Sequence, residues 1–114
     1  LIRFPVGSTQ RVYDAAVDEY LRKLSERVVQ TGEQVQLTGH TDNTGTDEAN
    51  MQLGQGRANA IQQILVGYGV PEAQIQISSK GESEPVASNE TEEGRYENRR
   101  VEVRLIKQPS KNEN

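Results

Sequence analysis

The sequence predicts an α+β fold, a two-layer βαβαβ-β sandwich with two long helices packed on one face of a small mixed sheet. Three observations predict it. Apolar and polar residues alternate around Val35 and Leu37, Ile75 and Ile77, and Val101 to Leu105, the two-residue period of a strand with one buried face. Two longer stretches repeat their apolar residues every three or four positions, the period of an amphipathic helix. The two kinds of stretch alternate along the chain, and strands separated by helices pack as layers around one core.

Taken in order, Ile2-Arg-Phe4 reads as a short first strand, closed by Pro5 and the turn-prone Val6-Gly-Ser8. Ser8 or Thr9 is placed to cap a first helix running to Gln30, with Gly32 as its stop. Val17, Leu21, Leu24 and Val28 form its apolar stripe, flanked by Tyr13 and Tyr20 in structural roles. Val35 and Leu37 mark the second strand. Asp42 to Asp47 follows as a polar loop, and Thr46 or Asp47 caps a second helix that continues to Tyr68. Gly67, Gly69 and Pro71 end that helix, and the stretch from Gln74 to Ser79 is the next strand. From Gly81 to Arg99 the chain is polar and too long for a hairpin turn. Asn89 and Glu92 have capping-box spacing there, which predicts a short helix. Arg95, Arg99 and Arg100 lie among Glu90, Glu92, Glu93 and Glu97, a composition suited to an internal salt-bridge network. Arg100 to Ile106 is the last strand. The domain is read as residues 1–106, and residues 107–114 as a polar tail or linker without periodicity.

Composition narrows the function. With 32% hydrophobic residues, the chain is a polar domain with a lean core. No apolar run approaches the length of a membrane span, so this domain is not expected to insert directly into a bilayer. The chain does not begin with Met and shows no signal peptide, so it reads as an excised fragment. A net charge of −4 argues against nucleic acid as a partner. Zero cysteines exclude disulfides and thiolate metal sites.

The second helix has a peculiarity. At about 100° per residue, with Leu53 at zero, Ala60, Ile64 and Ile61 fall at roughly −20°, 20° and 80°. Arg57 at roughly 40° and Asn50 at roughly 60° lie inside the same apolar arc. A guanidinium there is costly to bury unless something pairs with it. Both intruders lie near the loop that holds Asp42, so the pattern describes a polar site cut into the end of a core. Arg57 offers a planar fork suited to a carboxylate, and Asp42 offers acceptors suited to an ammonium. The backbone N–H groups at the start of the helix add a positive partial charge. An amino-acid end group would satisfy both sides. The alternative on the same residues is an Asp42–Arg57 salt bridge that only closes the core.

Gly39-His-Thr-Asp42, Gly45 and Asn50-x-x-Leu53-Gly-x-x-Arg57-Ala58, followed by Lys80-Gly81, Pro85 and Glu93-Gly-Arg-x-x-Asn98-Arg-Arg-Val-Glu102, together resemble the OmpA-like peptidoglycan-binding domain family. That family includes outer-membrane proteins, peptidoglycan-associated lipoproteins and flagellar stator subunits (OmpA/Pal/MotB-like). The resemblance extends from Ile2 to Leu105 and agrees with the predicted fold. It implies a non-catalytic, noncovalent module that binds peptidoglycan through the diaminopimelate of the stem peptide and anchors a parent protein to the cell wall. Asp42 and Arg57 would hold the diaminopimelate end group, with Arg99 near the cleft. Asn50 would bond the 39–46 loop or reach the ligand, and Leu53 would serve as core or pocket wall. Thr41, Thr44, Gly45 and Thr46 would supply hydroxyls and backbone groups around the cleft. The resemblance also implies a periplasmic location, a membrane-anchored parent and, as one arrangement, a homodimer. It implies no cofactor. Family members often carry an acidic residue after the first-strand Phe, whereas Phe4 here is followed by Pro-Val-Gly. That departure keeps a second reading open, a protein–protein scaffold domain with the same fold and another ligand.

Rival chemistries fit less well. Asp42, Thr44, Thr46 and Asp47 resemble a calcium loop, but Gly45 sits one place early and the closing Glu is absent. His40 is the only histidine, which excludes a histidine-rich metal site and reads as a loop hydrogen-bonder. No nucleophile elbow accompanies it, and no acidic pair stands in an apolar setting. An enzyme is not expected.

Overall fold

The computed structural model describes residues 2–106. The elements are β1 (Ile2–Arg3), α1 (Ala15–Thr31), β2 (Gln34–His40), α2 (Asp47–Gly67), a 3-10 turn (Glu72–Gln74), β3 (Ile75–Gly81), α3 (Glu92–Asn98) and β4 (Arg100–Ile106). The four strands form one mixed sheet in the order β1-β4-β2-β3. β2 runs parallel to β3, while β4 is antiparallel to β2 and to β1. This is the expected α+β architecture, with α3 as the predicted short helix. The polar tail, residues 107–114, lies outside the described residues.

Alternation places Val35 and Leu37 of β2, Ile75 of β3 and Val101 of β4 in the core. The stripe Val17, Leu21, Leu24 and Val28 of α1 packs with them, together with Ala58, Ile61 and Leu65 of α2. Tyr13 and Tyr20 lie outside that stripe and are largely exposed; Tyr13 lies under the Arg11 guanidinium, 5.6 Å from ring centroid to carbon.

α1 starts later than its sequence suggests. Ser8 does not cap a helix, because its Oγ accepts from Gln10 N at 2.9 Å in a local turn. Val12 N then donates to Arg3 O at 2.8 Å, which holds the non-helical stretch before Asp14 beside β1. Asp14 takes the cap instead, accepting from Ala16 N. Gly32 ends the helix in the left-handed conformation at φ 73°, as expected. At α2 the cap is Thr46, which accepts from Ala49 N. At α3 the cap is Thr91 rather than Asn89. Asn89 is diverted because its Oδ1 accepts from the buried Asn98 Nδ2, and its carbonyl accepts from Arg95.

The approach of α2 to the sheet depends on two glycines. A Cβ on Gly39 of β2 would lie 1.7 Å from the Gly54 carbonyl oxygen, and a Cβ on Gly54 would lie 2.2 Å from Ser79 Oγ. Helix and strand backbones therefore touch, and this sets the N-terminal half of α2 against the end of β2. Alanine is about 1 kcal/mol better than glycine inside a helix, yet Gly54→Ala must push α2 off the sheet. We expect a net loss of about 2 kcal/mol, typical of overpacking, measured by urea denaturation. A stabilised Gly54→Ala protein would contradict the close approach.

Candidate functional site

The site forms where β2 runs out. Gly39 pairs with Ser79 but His40 pairs with Gly81, so β3 bulges at Lys80 and the ladder ends at that point. Thr41 N still donates to Gly81 O at 2.9 Å, and the chain then turns away from the sheet. Asp42 is held in that turn. Its Oδ1 accepts from Thr44 N at 2.9 Å, and Thr41 Oγ1 donates to the Asp42 carbonyl at 2.8 Å. Thr41 and Asp42 are buried, while Thr44, Gly45 and Thr46 are exposed.

The alternative reading, an Asp42–Arg57 bridge that closes the core, is not what the structure shows. Asp42 Oδ2 instead accepts from Arg99 Nη1 at 2.9 Å. Arg99 also donates through Nε to Phe4 O at 2.8 Å and through Nη2 to Glu92 Oε2 at 2.7 Å. Arg99 is therefore a buried hub rather than an open rim. Arg57 turns to backbone: Nε donates to Ser8 O at 2.8 Å, Nη1 to His40 O at 2.9 Å and Nη2 to Pro5 O at 3.0 Å. Its guanidinium carbon lies 5.1 Å from the centroid of the Phe4 ring, within cation–π range. Arg57 has no exposed surface.

Electrostatics tie the three charged groups together. Burial pushes the Arg57 pKa down, and Arg99 lowers it further against the opposing pull of Asp42, to about 10. The group stays charged at neutral pH. Burial alone would raise the Asp42 pKa, but the bonds from Arg99 and Thr44 outweigh it and hold the carboxyl below its ordinary value. Glu92 is also held low, chiefly by its bond from Arg99. The basic cluster forms ion pairs with partly different acids from those expected: Arg95 pairs with Glu92, Arg99 with Asp42 and Glu92, and Arg100 with Glu102, while Glu97 pairs with Arg3.

Asn50 meets the 39–46 loop through its backbone, Asn50 N donating to Thr46 O at 3.0 Å, while its side-chain amide turns to the segment after β3. Its Nδ2 donates 2.8 Å to Glu82 Oε1, because the bulge at Lys80 swings the chain after β3 across the start of α2. Leu53 is half-buried and stands outside the main core cluster. His40 is the last residue of β2 rather than a loop hydrogen-bonder. Its ring is buried with neither nitrogen hydrogen-bonded, and Glu102 Oε1 stands 3.7 Å from Nε2. The structure thus gathers Thr41, Asp42, Thr44, Arg57 and Arg99, and leaves Asn50 one contact away. Sequence reasoning missed the carbonyls of Pro5 and Ser8 and the role of Phe4, because backbone acceptors carry no side-chain signal. A larger apolar cavity of about 810 Å³, lined by Val17, Tyr20, Val86 and Val103 among others, lies elsewhere against the β1–β4 edge. It includes none of Asp42, Arg57 or Arg99, although Arg3, Asp14, Glu97, Arg100 and Glu102 also line it.

Fold and cluster together define a small α+β domain with a buried, charge-balanced site at the end of β2. The sequence model of the OmpA family matches residues 3–99, and the chain belongs to that family. It is 47% identical over 74 residues to the peptidoglycan-associated lipoprotein of Pseudomonas aeruginosa, an alignment taking in 65% of this chain and 44% of that protein. The chain thus matches less than half the length of this relative. Among solved structures it superimposes on the peptidoglycan-associated lipoprotein of Burkholderia pseudomallei with a TM-score of 0.84 at 28% identity, covering 91% of this chain and 87% of the other. A cell wall anchor of Pseudomonas aeruginosa matches with a TM-score of 0.70 at 27% identity, over 93% and 75% of the two chains.

Two outcomes follow from the geometry. Arg99→Ala leaves a buried carboxylate unpaired and is expected to cost about 3–5 kcal/mol. Asp42→Asn in the same chain should recover part of that loss, measured as a double-mutant cycle in urea. The second outcome concerns His40, whose pKa is lowered by burial and by Arg100 against the opposing carboxylates Glu102 and Glu84. The unfolded chain therefore binds a proton before the folded one does, and stability falls with acidification. The loss begins near the ordinary histidine value of about 6.5 and runs to the depressed folded value, with a slope of up to 1.4 kcal/mol, roughly, per pH unit. His40→Gln should flatten that part of the stability–pH curve.

Proposed function

We propose that this domain binds peptidoglycan noncovalently and without catalysis, and so attaches its parent protein to the cell wall from the periplasm. The relatives support the coarse reading, since they include peptidoglycan-associated lipoproteins, a peptidoglycan-binding protein and a cell wall anchor. The finer reading is that the domain takes the diaminopimelate end group of the stem peptide. Asp42 would accept from the ammonium, Arg57 would hold the carboxylate, and Thr41, Thr44 and Gly45 would border the peptide. Arg99 would act as a positioning residue through Asp42, and Asn50 and Leu53 would border the site.

The observation that carries this is the separation of Asp42 and Arg57. They interact electrostatically within one cluster, yet each is held by other partners. A purely structural ion pair would satisfy itself directly. Three bonds leave two of the five Arg57 donors unassigned, and Asp42 keeps spare acceptor capacity. A zwitterionic end group fits a site in which neither charge is spent on the other. A single small group binds weakly, so attachment would come from many tethered molecules on one continuous polymer.

The second reading, a scaffold domain for a protein partner, is favoured by the complete burial of Arg57. Sacculus pull-down separates the two. Purified sacculi should retain the wild-type domain and lose it on Asp42→Asn, which keeps the size of the side chain but removes the charge that faces the ammonium. Titration of meso-diaminopimelate should shift backbone amides around Asp42, Thr44 and Arg57. Retention of Asp42→Asn at the wild-type level would refute the site assignment. Failure of both wild-type assays would leave the scaffold reading.

A further inference from the structure

We propose that the Pro5–Ser8 turn is an autoinhibitory strap, whose carbonyls fill the Arg57 fork in the free domain and are displaced by the incoming ligand carboxylate. The inference rests on the reading of Arg57 as a ligand-holding residue. Nε and Nη2 form one edge of a guanidinium, the edge a carboxylate takes through two parallel bonds. In this chain that edge is occupied by two backbone oxygens of one turn, Ser8 O on Nε at 2.8 Å and Pro5 O on Nη2 at 3.0 Å. Pro5 and Ser8 together stand where the two oxygens of a carboxylate would stand.

The turn is built to leave. It hangs between two firm anchors. At one end Phe4 is buried, its N–H donating to Arg99 O at 3.0 Å and its carbonyl accepting from Arg99 Nε. At the other, Val12 N donates to Arg3 O. Between them Pro5, Val6 and Gly7 are exposed, Val6 by 61%. One backbone bond crosses the turn, from Ser8 N to Pro5 O at 3.2 Å. Gly7 at its tip has φ 66°, with nothing within 4 Å of where a Cβ would sit. Beyond the turn, Thr9 Cγ2 rests on Gly56 of α2, where a Cβ would come within 2.9 Å of it. Past Thr9, an open groove of about 380 Å³ runs between Gln10, Arg11 and Tyr13 on one side and Ala60, Ile61 and Ile64 on the other. The strap itself is therefore held to α2 by its bonds to Arg57 and by the Thr9 methyl contact, while the leg beyond it is tied to α1 by the Arg11–Asp18 ion pair at 3.0 Å. Exchange of two carbonyls for one carboxylate keeps the buried guanidinium bonded throughout, and the displaced oxygens emerge into water.

Two substitutions loosen the strap without touching Asp42, Arg57 or Arg99. Gly7→Ala strains the closed turn, because an L side chain at positive φ is costly while the surrounding space is open. Gly56→Leu keeps α2 helical and puts a branched side chain where Thr9 now rests. When the competent state is a minor fraction, raising that fraction tightens apparent binding in proportion. Each variant should bind meso-diaminopimelate about fivefold tighter than wild type by amide-shift titration. Hydrogen exchange at Arg57 Nε, read without ligand, should be slow in the wild-type chain and faster in both variants. Unchanged or weaker binding in both variants, with Asp42→Asn still abolishing it, would overturn the strap and leave the site standing. Full binding by Asp42→Asn would instead overturn the site. If wild type and both variants all fail to bind, site and strap fall together. Unaltered Arg57 exchange in two folded variants overturns the strap whatever the ligand does.

Discussion

A guanidinium without exposed surface is the constraint around which this domain is arranged. Each buried N–H needs an acceptor, and an unpaired charge in the interior would cost several kcal/mol, roughly. Arg57 bonds a carbonyl from each of its three nitrogens, drawn from two distant parts of the chain, Pro5 and Ser8 after β1 and His40 at the end of β2. The path of the first loop, the end of the central strand and the register of α2 are thereby tied to one side chain. Contact between Gly39 and Gly54 brings α2 near enough to β2 for this arrangement. The bulge at Lys80 ends the ladder where the polar cluster begins. Packing and polar satisfaction converge on the same few residues.

Arg99 solves the complementary problem for Asp42. A carboxylate at this depth would be driven toward its neutral form, yet the bonds from Arg99 and Thr44 keep it charged. Arg99 belongs to the turn between α3 and β4, and it also grips the Phe4 carbonyl and the exposed Glu92. The segment after β3 is thus more than a connection. It delivers the counter-charge that lets an acid sit beside the buried Arg57. The two arginines divide the work, one fixing the acid and the other ordering the backbone.

Much of this was legible in the sequence. The strand and helix periods of Val35–Leu37, Val17–Val28 and Val101–Leu105 gave the layers, because burying one face imposes its period directly on the residues. Arg57 betrayed the polar site by breaking the apolar arc of α2. Its partners stayed hidden, since carbonyls belong to every residue and nothing in Pro5-Val-Gly-Ser8 announces which way they point. Proximity in sequence suggested Asp42 with Arg57, whereas the partner, Arg99, arrives from the far end of the chain. The late start of α1 has a similar origin. Ser8 is a good cap by type, but its hydroxyl is consumed by Gln10 and the following residues are captured by Arg3. Local preference yielded to a long-range bond.

Charge balance then limits what the site can receive. Asp42 and the two arginines carry a net positive charge, which Glu92 at the surface offsets through Arg99. A second isolated anion would compete with carbonyls that already satisfy Arg57, gaining a charge–charge term but paying the desolvation of a carboxylate. An isolated cation would face Arg57 and Arg99 as well as Asp42. On the proposed reading, a group carrying both charges on one carbon would avoid each penalty, its ammonium against Asp42 and its carboxylate at the Arg57 edge. Selectivity of this kind comes from rejecting single charges more than from gripping the pair. It suits a module that reads one chemical end group repeated along a polymer, where weak individual contacts add through multivalency.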